Sequence, residues 1–574
     1  MEPSSAIVPP RIIIGGETEY GIAVYSGGAP LNEVHNLWAI GNMLDAAHGV
    51  FTSLFEGGRE SLRDLADHDR AEERLRELDA ERESDAAPAE RGVRQRFGFT
   101  GVMLPNGARF YEDMAHPEYS TPETTTPFEI LLAQKHGDII VNRCREEAER
   151  FLRIKTGLPD LSIMLVRNNS DYKGASYAGH ENYSLSPATF SRICGKDDLF
   201  GGDILEDEYA RAAVLFFVVR QVITGAGKVG GDEGHYPTLY QISQRADYIQ
   251  GVRTRSTTGG RGIINRRDLP YADDSIFRRL HLIVGDSSVS DLSIYLKFGM
   301  TALFLMMLDS GFLEKKAPQI LFAELRDSVR SYHSVSRDLT LEKTLSFVEH
   351  DAATPLELLH EYAGLAEAFV AEHGMGEAWG DVVLKWKGVL DGFSGDPENH
   401  PLSRSLDWVA KKRLLSVLGE TYKKKEGKLP KEAFFQGIEL RYHTIDPAHS
   451  LAKALERKGK MVKIADDAAV ESTFGAPPET TRAWLRGEIV RRYAPQIREL
   501  RWDTVALMND NGEVVFLSLA DPFWGSRTDA AGFLFDNPPL PIFLERVKEK
   551  LRAARDRTKP HLRGLFKLRI RERE

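Results

Sequence analysis

The sequence predicts an α+β chain with one large domain and one small C-terminal domain. Three observations carry this. An apolar run, Ile12-Ile13-Ile14, gives way to the alternating Glu17-Thr18-Glu19, the pattern of a half-buried strand. Amphipathic stretches, the clearest over 126–156, follow a helical repeat. From about Pro477 the pattern restarts with a helix, two strands and another helix, which sets the domain ranges at 1–476 and 477–574. A length of 574 residues leaves room for this, at roughly 150 residues per domain.

In chain order, residues 37–54 have helical spacing and 107–111 read as a short strand. The helix over 126–156 is followed by a strand over 161–167. Buried helices are expected over 209–222 and 290–308, with peripheral helices over 351–390 and 406–418. In the small domain, a helix over 480–493 precedes strands over 504–508 and 513–519 and a helix from Leu540. The longest apolar runs, 212–219 and 300–308, fall far short of the ~18–20 residues that cross a bilayer, so no membrane segment is expected. The N-terminus has no basic segment followed by an apolar one, so no signal peptide is read there and the expected address is cytoplasmic.

Composition excludes several classes. Hydrophobic residues make up 42% of the chain, enough for a core, which rules out disorder throughout. Two cysteines, Cys144 and Cys194, cannot frame a secreted disulfide scaffold. A net charge of −10 argues against a dedicated nucleic-acid binder, which would carry a basic excess. The charge is uneven. Between Arg59 and Arg96 nearly every second residue is charged, and little apolar surface could be buried there, so we read a mobile insertion. From Arg546 to Glu574 the chain is rich in Arg and Lys, as in a solvated terminal helix and tail.

Chemistry concentrates in a few segments. Residues i and i+2 of a strand share a face, so Glu17 and Glu19 aim two carboxylates together directly after an apolar run. Their repulsion is costly in a half-buried place unless a cation lies between them, and carboxylate oxygens suit a hard cation such as Mg²⁺. The alternative is a solvent-facing polar edge. Residues 106–119 place Asp113, His116 and Glu118 in a short loop beside a strand. Polar runs at 168–171, 174–177 and 180–183 are too dense for simple turns. Further on come Gln244-Arg245-Ala246-Asp247-Tyr248, residues 262–268 with Arg266 and Arg267, and residues 278–286 with Arg278, Arg279, His281 and Asp286. Carboxylates and histidines for a metal, beside arginines for bidentate phosphate contact, make the set of a Mg-nucleotide site. Gly225-Ala226-Gly227-Lys228-Val229 looks like a phosphate loop but is not one. Val229 stands where Ser or Thr is needed, and Ile223 where the first glycine should be.

At these residues the chain resembles the Pup ligase/depupylase family, enzymes that attach or remove the ubiquitin-like protein Pup and are related to glutamine synthetase. The matching segments run in family order from residue 12 to about 525. They include Gly-Glu-Thr-Glu-Tyr-Gly, Asn-Gly-Ala-Arg, His-Pro-Glu-Tyr, His-Glu-Asn-Tyr, Ser-Gln-Arg-Ala-Asp-Tyr-Ile, Arg-Arg-Leu-His-x-Ile-x-Gly-Asp, Leu-Asp-Trp-Val-Ala-Lys and Thr-Arg-Ala-x-x-Arg-Gly. The resemblance implies a glutamine synthetase-like fold, a curved antiparallel sheet packed by helices and cradling ATP and Mg²⁺. It implies metal ligands at Glu17, Glu19, Glu118, His180 and His281, and a catalytic aspartate at Asp113. Nucleotide contacts fall to Arg245, Arg267, Tyr20 and Arg482, with Arg267 also serving the transition state. The implied partners are a Pup-like modifier and its conjugated proteins, with an indirect link to the proteasome pathway.

Two opposite reactions share such a site. The family's depupylases carry an insertion of about forty residues where this chain has its charged stretch at about 56–96, and Ser61-Leu62-Arg63-Asp64 resembles part of it. The segments around Asp113 and Arg245 also lean that way. Gly225-Ala226-Gly227-Lys228-Val229, Thr481 to Glu488 and Asp521-Pro522-Phe523 lean toward the ligases. The insertion borders the site, so the expectation is a depupylase/deamidase, with the Pup ligase as the alternative; a non-catalytic adaptor is disfavoured by the complete acidic set. One departure stands out. The family pattern Asp-Glu-Pro-His-Ala-Asp is replaced by Asp268-Leu269-Pro270-Tyr271-Ala272-Asp273.

Overall fold

The computed structural model describes residues 10–54, 101–177, 179–195, 205–230, 240–557 and 568–571. The charged insertion expected at about 56–96 lies outside these residues, as do 558–567 and 572–574 of the basic C-terminal stretch.

The strands in chain order are β1 (Ile14–Glu19), β2 (Gly21–Ser26), β3 (Ala29–Pro30), β4 (Val102–Met103), β5 (Arg109–Asp113), β6 (His116–Ser120), β7 (Ser162–Val166), β8 (Gly179–Leu185), β9 (Lys228–Val229), β10 (Tyr240–Gln241), β11 (Ile249–Thr254), β12 (Arg261–Asn265), β13 (Arg278–Leu282), β14 (Ile497–Leu500), β15 (Thr504–Met508), β16 (Val514–Ser518) and β17 (Leu568–Arg571). The principal sheet has six strands in the order β13-β8-β1-β6-β5-β4, and each neighbouring pair is antiparallel. β3-β2-β7 form a second sheet, and β14-β15-β16-β17 a third. The mixed helix-and-sheet architecture agrees with the expected α+β class.

One face of the principal sheet is covered by helices. Thr18 points to that side and its hydroxyl donates to Gln134 at 2.9 Å. Gly16 is needed there, because a Cβ would meet Gln134 Nε2 at 2.5 Å and the Phe298 ring at 2.9 Å. On β8, Glu181 faces the same layer and takes both Nη groups of Arg220 at 2.8 Å. Both side chains are fully buried, so this bidentate pair ties the sheet to the Glu208–Thr224 helix.

The helices form where caps and apolar stripes agree. Thr126 and Glu129 close a capping box at the start of the Pro127–Thr156 helix, and Gly157 ends it at φ 68°. The Asp291–Asp309 helix is long and apolar enough to cross a membrane by length and composition, longer than the sequence runs suggested. It is buried throughout its apolar window, packed as a core helix. The 351–390 region, expected to be peripheral, is two helices, Pro355–Glu372 and Glu377–Phe393. They join the main core: Tyr362 stands edge-on to Phe216, which stacks on Phe304 at 4.2 Å between centroids. Leucines and aromatics recurring on one face carry these helices into the core despite their charged residues. In the C-terminal part, the Arg482–Tyr493 and Leu540–Arg557 helices share an apolar cluster with Leu507, Leu517 and Phe543, which Met103 of β4 also enters.

Candidate active site

The opposite face of the principal sheet gathers the acidic and imidazole side chains, most of them buried. Period-two alternation puts Glu17 and Glu19 of β1 on that face, opposite Thr18. The register aligns Glu19 with Glu118 of β6 and Glu17 with His180 of β8. β5 brings Tyr111 beside Glu118 and ends at Asp113. β13 contributes His281, opposite Asn182 of β8. Five strands thus deliver one side chain or two each to a common patch.

Asp113, His116 and Glu118 do not lie in a loop, as the sequence suggested. They belong to a hairpin in which Asp113 and His116 face each other across a two-residue turn. Met114 and Ala115 close it at φ 48° and 67°, the left-handed geometry that matches strand twist but is uncommon without glycine. The strand expected at 107–111 begins at Arg109, because Gly107 turns at φ 82°.

Two ligand groups emerge. Glu17, His180 and His281 each offer an atom within 4.8 Å of the others, as do Glu19, Asp113 and Glu118. In the first group, Glu17 Oε2 lies 2.8 Å from His180 Nδ1 and 3.3 Å from His281 Nε2. Burial alone would raise the Glu17 carboxyl, but His281 and His180 outweigh it and hold it well below the usual carboxylate range. Burial drives the His281 imidazole down to about 4, which leaves it neutral and able to ligate. In the second group, burial and then the Glu19 charge push Asp113 up to about 7. Burial, followed by Asp113 and Glu17, raises Glu118 well above its ordinary value. Glu118 Oε1 accepts the Tyr111 hydroxyl at 2.5 Å, while its buried Oε2 has no partner among the described residues. Three crowded carboxylates with an orphan oxygen suit a hard divalent cation, and one carboxylate with two imidazoles makes a second, softer set that can hold a divalent metal.

Of the two expected arginines, Arg245 lies close enough to the patch to feel the Glu19 charge. Arg245 follows β10, is buried, and donates from Nη1 to Ile283 O at 2.6 Å. Burial and the neighbouring Arg261 lower it to about 10, while Glu19 supports its charge. Asp286 fixes its backbone, taking Arg245 N at 3.0 Å. Arg267 sits half-buried just past β12.

Two expected nucleotide contacts lie elsewhere. Tyr20 falls in the core, its hydroxyl donating to Asp138 on the helix side at 2.9 Å. It is even-numbered with Thr18, so it leaves the face that carries Glu17 and Glu19. Arg482 is buried, with Nε on Glu123 and Nη1 on the carbonyls of Tyr271 and Leu519, all at 2.7 Å. These bonds give it a place in the scaffold. The rejected phosphate loop is also scaffold, since Ala226 N donates to Asp286 and Gly227 O accepts Lys411 Nζ. The sequence singles out the segments that hold Tyr111, Asn182 and Arg279 but gives these three residues no role of their own. Each stands two residues from a named candidate in a strand, and that spacing was the available signal.

Residues 12–506 match the family described as Pup-ligase protein. The chain is similar to the depupylase of Acidothermus cellulolyticus, at 35% identity over 86% of this chain and 90% of that one. It is similar to the Pup deamidase/depupylase of Mycobacterium tuberculosis, at 34% over 76% and 81%. The Pup–protein ligase of an Arthrobacter species matches at 32% over 74% and 87%. Among solved structures, the complex of Pup with its ligase PafA matches with a TM-score of 0.68 at 24% identity, over 96% of both chains, and speaks to the fold. PafA in complex with ADP matches with a TM-score of 0.64 at 27% identity, over 84% of this chain and 97% of that one.

Proposed function

The chain belongs to the Pup-ligase protein family, and on that premise we propose that it is an ATP-dependent depupylase/deamidase. It hydrolyses the isopeptide or side-chain amide bond at the C-terminal residue of a Pup-like modifier. The observation that carries the chemistry is Asp113, a half-buried carboxyl lifted to about 7 beside Glu19 and Glu118. With no cation beside it, a group of that affinity can take a proton near neutral pH, and a neighbouring cation would lower it.

Glu17, His180 and His281 would hold one Mg²⁺, and Glu19 and Glu118, joined by Asp113, another. Arg245 and Arg267 would hold the phosphates of ATP; nucleotide binding as such is supported by the ADP complex of a relative. Bound Mg²⁺ supplies charge neutralisation for the nucleotide phosphates and for a developing oxyanion. Asp113 acts on the scissile carbonyl, as nucleophile or by taking the proton of the attacking water. The C–N bond breaks as a proton passes to the nitrogen, which leaves as a lysine amine or as ammonia; on the nucleophile route water then hydrolyses the Asp113–acyl anhydride and restores the carboxylate. Arg267 stabilises the oxyanion. The partners are the modifier and its conjugates, upstream of a proteasome, with no nucleic acid and no membrane. We take 1–476 as the catalytic domain and 477–574 as the small one. Both cysteines are free and buried, in keeping with a reducing compartment, which we take to be the cytoplasm.

The charged stretch at about 56–96 favours hydrolysis over ligation. The ligase reading is kept for the ligase-like segments around Arg482 and Asp521, in which ATP would phosphorylate the modifier's terminal Glu and Asp113 would deprotonate a lysine. Incubation with ATP, modifier and a modified substrate decides between them. Free substrate is the expected product, and new conjugates would overturn the hydrolase.

A further inference from the structure

The segment that departs from the family pattern joins the C-terminal part to the acidic patch. Tyr271 sits at φ 47°, a left-handed backbone rarely adopted by a bulky residue. Its carbonyl accepts Arg482 Nη1 at 2.7 Å, and Asp273 N donates to Ala520 O at 3.0 Å. Residues 271–273 are therefore stitched to the C-terminal part. On the other side, the Tyr271 ring meets the Arg279 guanidinium, 5.1 Å from ring centroid to Cζ. Arg279 shares a face of β13 with His281. Its Nη1 lies 3.1 Å from Asn182 Oδ1 and 3.4 Å from Glu17 Oε1. Asn182 Nδ2 donates to the same Glu17 oxygen at 3.0 Å. Arg279 and Asn182 together hold Oε1, and that turns Oε2 toward His180 and His281.

We propose that Tyr271 is a positioning residue. Through Arg279 it sets the orientation of the Glu17 carboxylate, and so makes cation affinity at Glu17, His180 and His281 depend on the docking of the C-terminal part. The inference rests on reading that group as a cation site. Outer partners of a ligating carboxylate fix its orientation, and their loss weakens binding without removing a ligand.

The test is Mn²⁺ titration of the nucleotide-free full-length chain by electron paramagnetic resonance, with a melting curve for each protein. Glu17→Gln identifies the sites that belong to this group. Tyr271→Gly removes the ring and accepts the left-handed backbone without strain. Tyr271→Phe keeps the ring. The Gly variant is expected to bind Mn²⁺ at those sites about tenfold more weakly, and the Phe variant to stay within about twofold of wild type. Both should melt close to the wild-type temperature. Wild-type affinity in the Gly variant, or equal weakening in the Phe variant, would overturn the positioning role alone. A wild-type chain that binds no Mn²⁺ at Glu17-dependent sites would overturn the cation reading and this inference together.

Discussion

Glu123 and Arg486 meet in a two-point ion pair, with Nη1 on Oε1 at 3.0 Å and Nη2 on Oε2 at 2.5 Å. Arg482 adds a further bond to Oε1 at 2.7 Å, and all three side chains are buried. Glu123 precedes the Pro127–Thr156 helix, while both arginines ride on the Arg482–Tyr493 helix. One carboxylate thus fastens the C-terminal part to the sheet-bearing part. Glu123→Gln leaves two buried cations without their counter-charge. A loss of about 3–5 kcal/mol is expected, measured by urea unfolding. A loss under about 1 kcal/mol, the range of exposed pairs, would show that the pair is not buried in solution.

The same pair predicts a pH dependence. Burial opposes ionisation of Glu123, but Arg486 and then Arg482 prevail and hold it down at about 2, against 4.5 for an ordinary glutamate. A depressed folded-state value means that its stabilisation is fully present above pH 4.5. It is lost as pH falls from there through about 2. The contribution is on the order of 3 kcal/mol. The stability gap between wild type and Glu123→Gln should therefore narrow steadily below pH 4.5, and a gap that stays constant down to pH 3 would contradict the assignment.

Asp113→Asn is expected to lower turnover by at least about a hundredfold while ATP binding, followed by fluorescent-nucleotide titration, survives. With Asp113 raised to about 7, the base form is scarce below that pH, so the rate at limiting Mg²⁺ should climb through neutrality. A cation held by Glu19, Glu118 and Asp113 favours the ionised form, and saturating Mg²⁺ should move the inflection to lower pH. An inflection that ignores Mg²⁺ would remove Asp113 from the cation group.

The two ligand groups predict two separable sites. His281→Ala should abolish one Mn²⁺ site and Glu118→Gln the other, each leaving its neighbour within about tenfold of its original affinity. Isothermal titration reads the stoichiometry directly. Loss of all binding in either variant would mean that the groups share a single ion.

The hairpin turn predicts a split between stability and rate. Ala115 at φ 67° pays a left-handed penalty that glycine does not. Ala115→Gly should raise stability by about 0.5–1 kcal/mol. The looser turn should also let Asp113 wander, lowering kcat several-fold with KM unchanged. A faster variant would show that the turn does not aim Asp113.

Much of the site was legible in the sequence because strands alternate. Glu17 and Glu19 could be placed on one face from their spacing alone, and the structure keeps them there. The same rule, applied to residues 109–113 and 279–281, would have added Tyr111 and Arg279. In those stretches charged residues mask the apolar half of the alternation. Tyr20 shows the limit of a motif read without parity. It adjoins Glu19 in sequence, yet belongs to the opposite face and to Asp138.

The sequence by itself determined the class of fold, the principal helices, the acidic strand and the family to which the chain belongs. These follow from local periodicity and from residue types at fixed spacing. The tertiary structure alone decided which residues meet. Cross-strand register set Glu19 beside Glu118 and Glu17 beside His180, and it split one expected metal set into two groups. It also assigned Arg482 to Glu123, and through Tyr271 connected it with Arg279 and Glu17. The bonds of Arg482 to Glu123 and Tyr271, and of Arg279 to Glu17, each bridge more than two hundred positions of chain, and their partners are fixed by packing that no local pattern encodes.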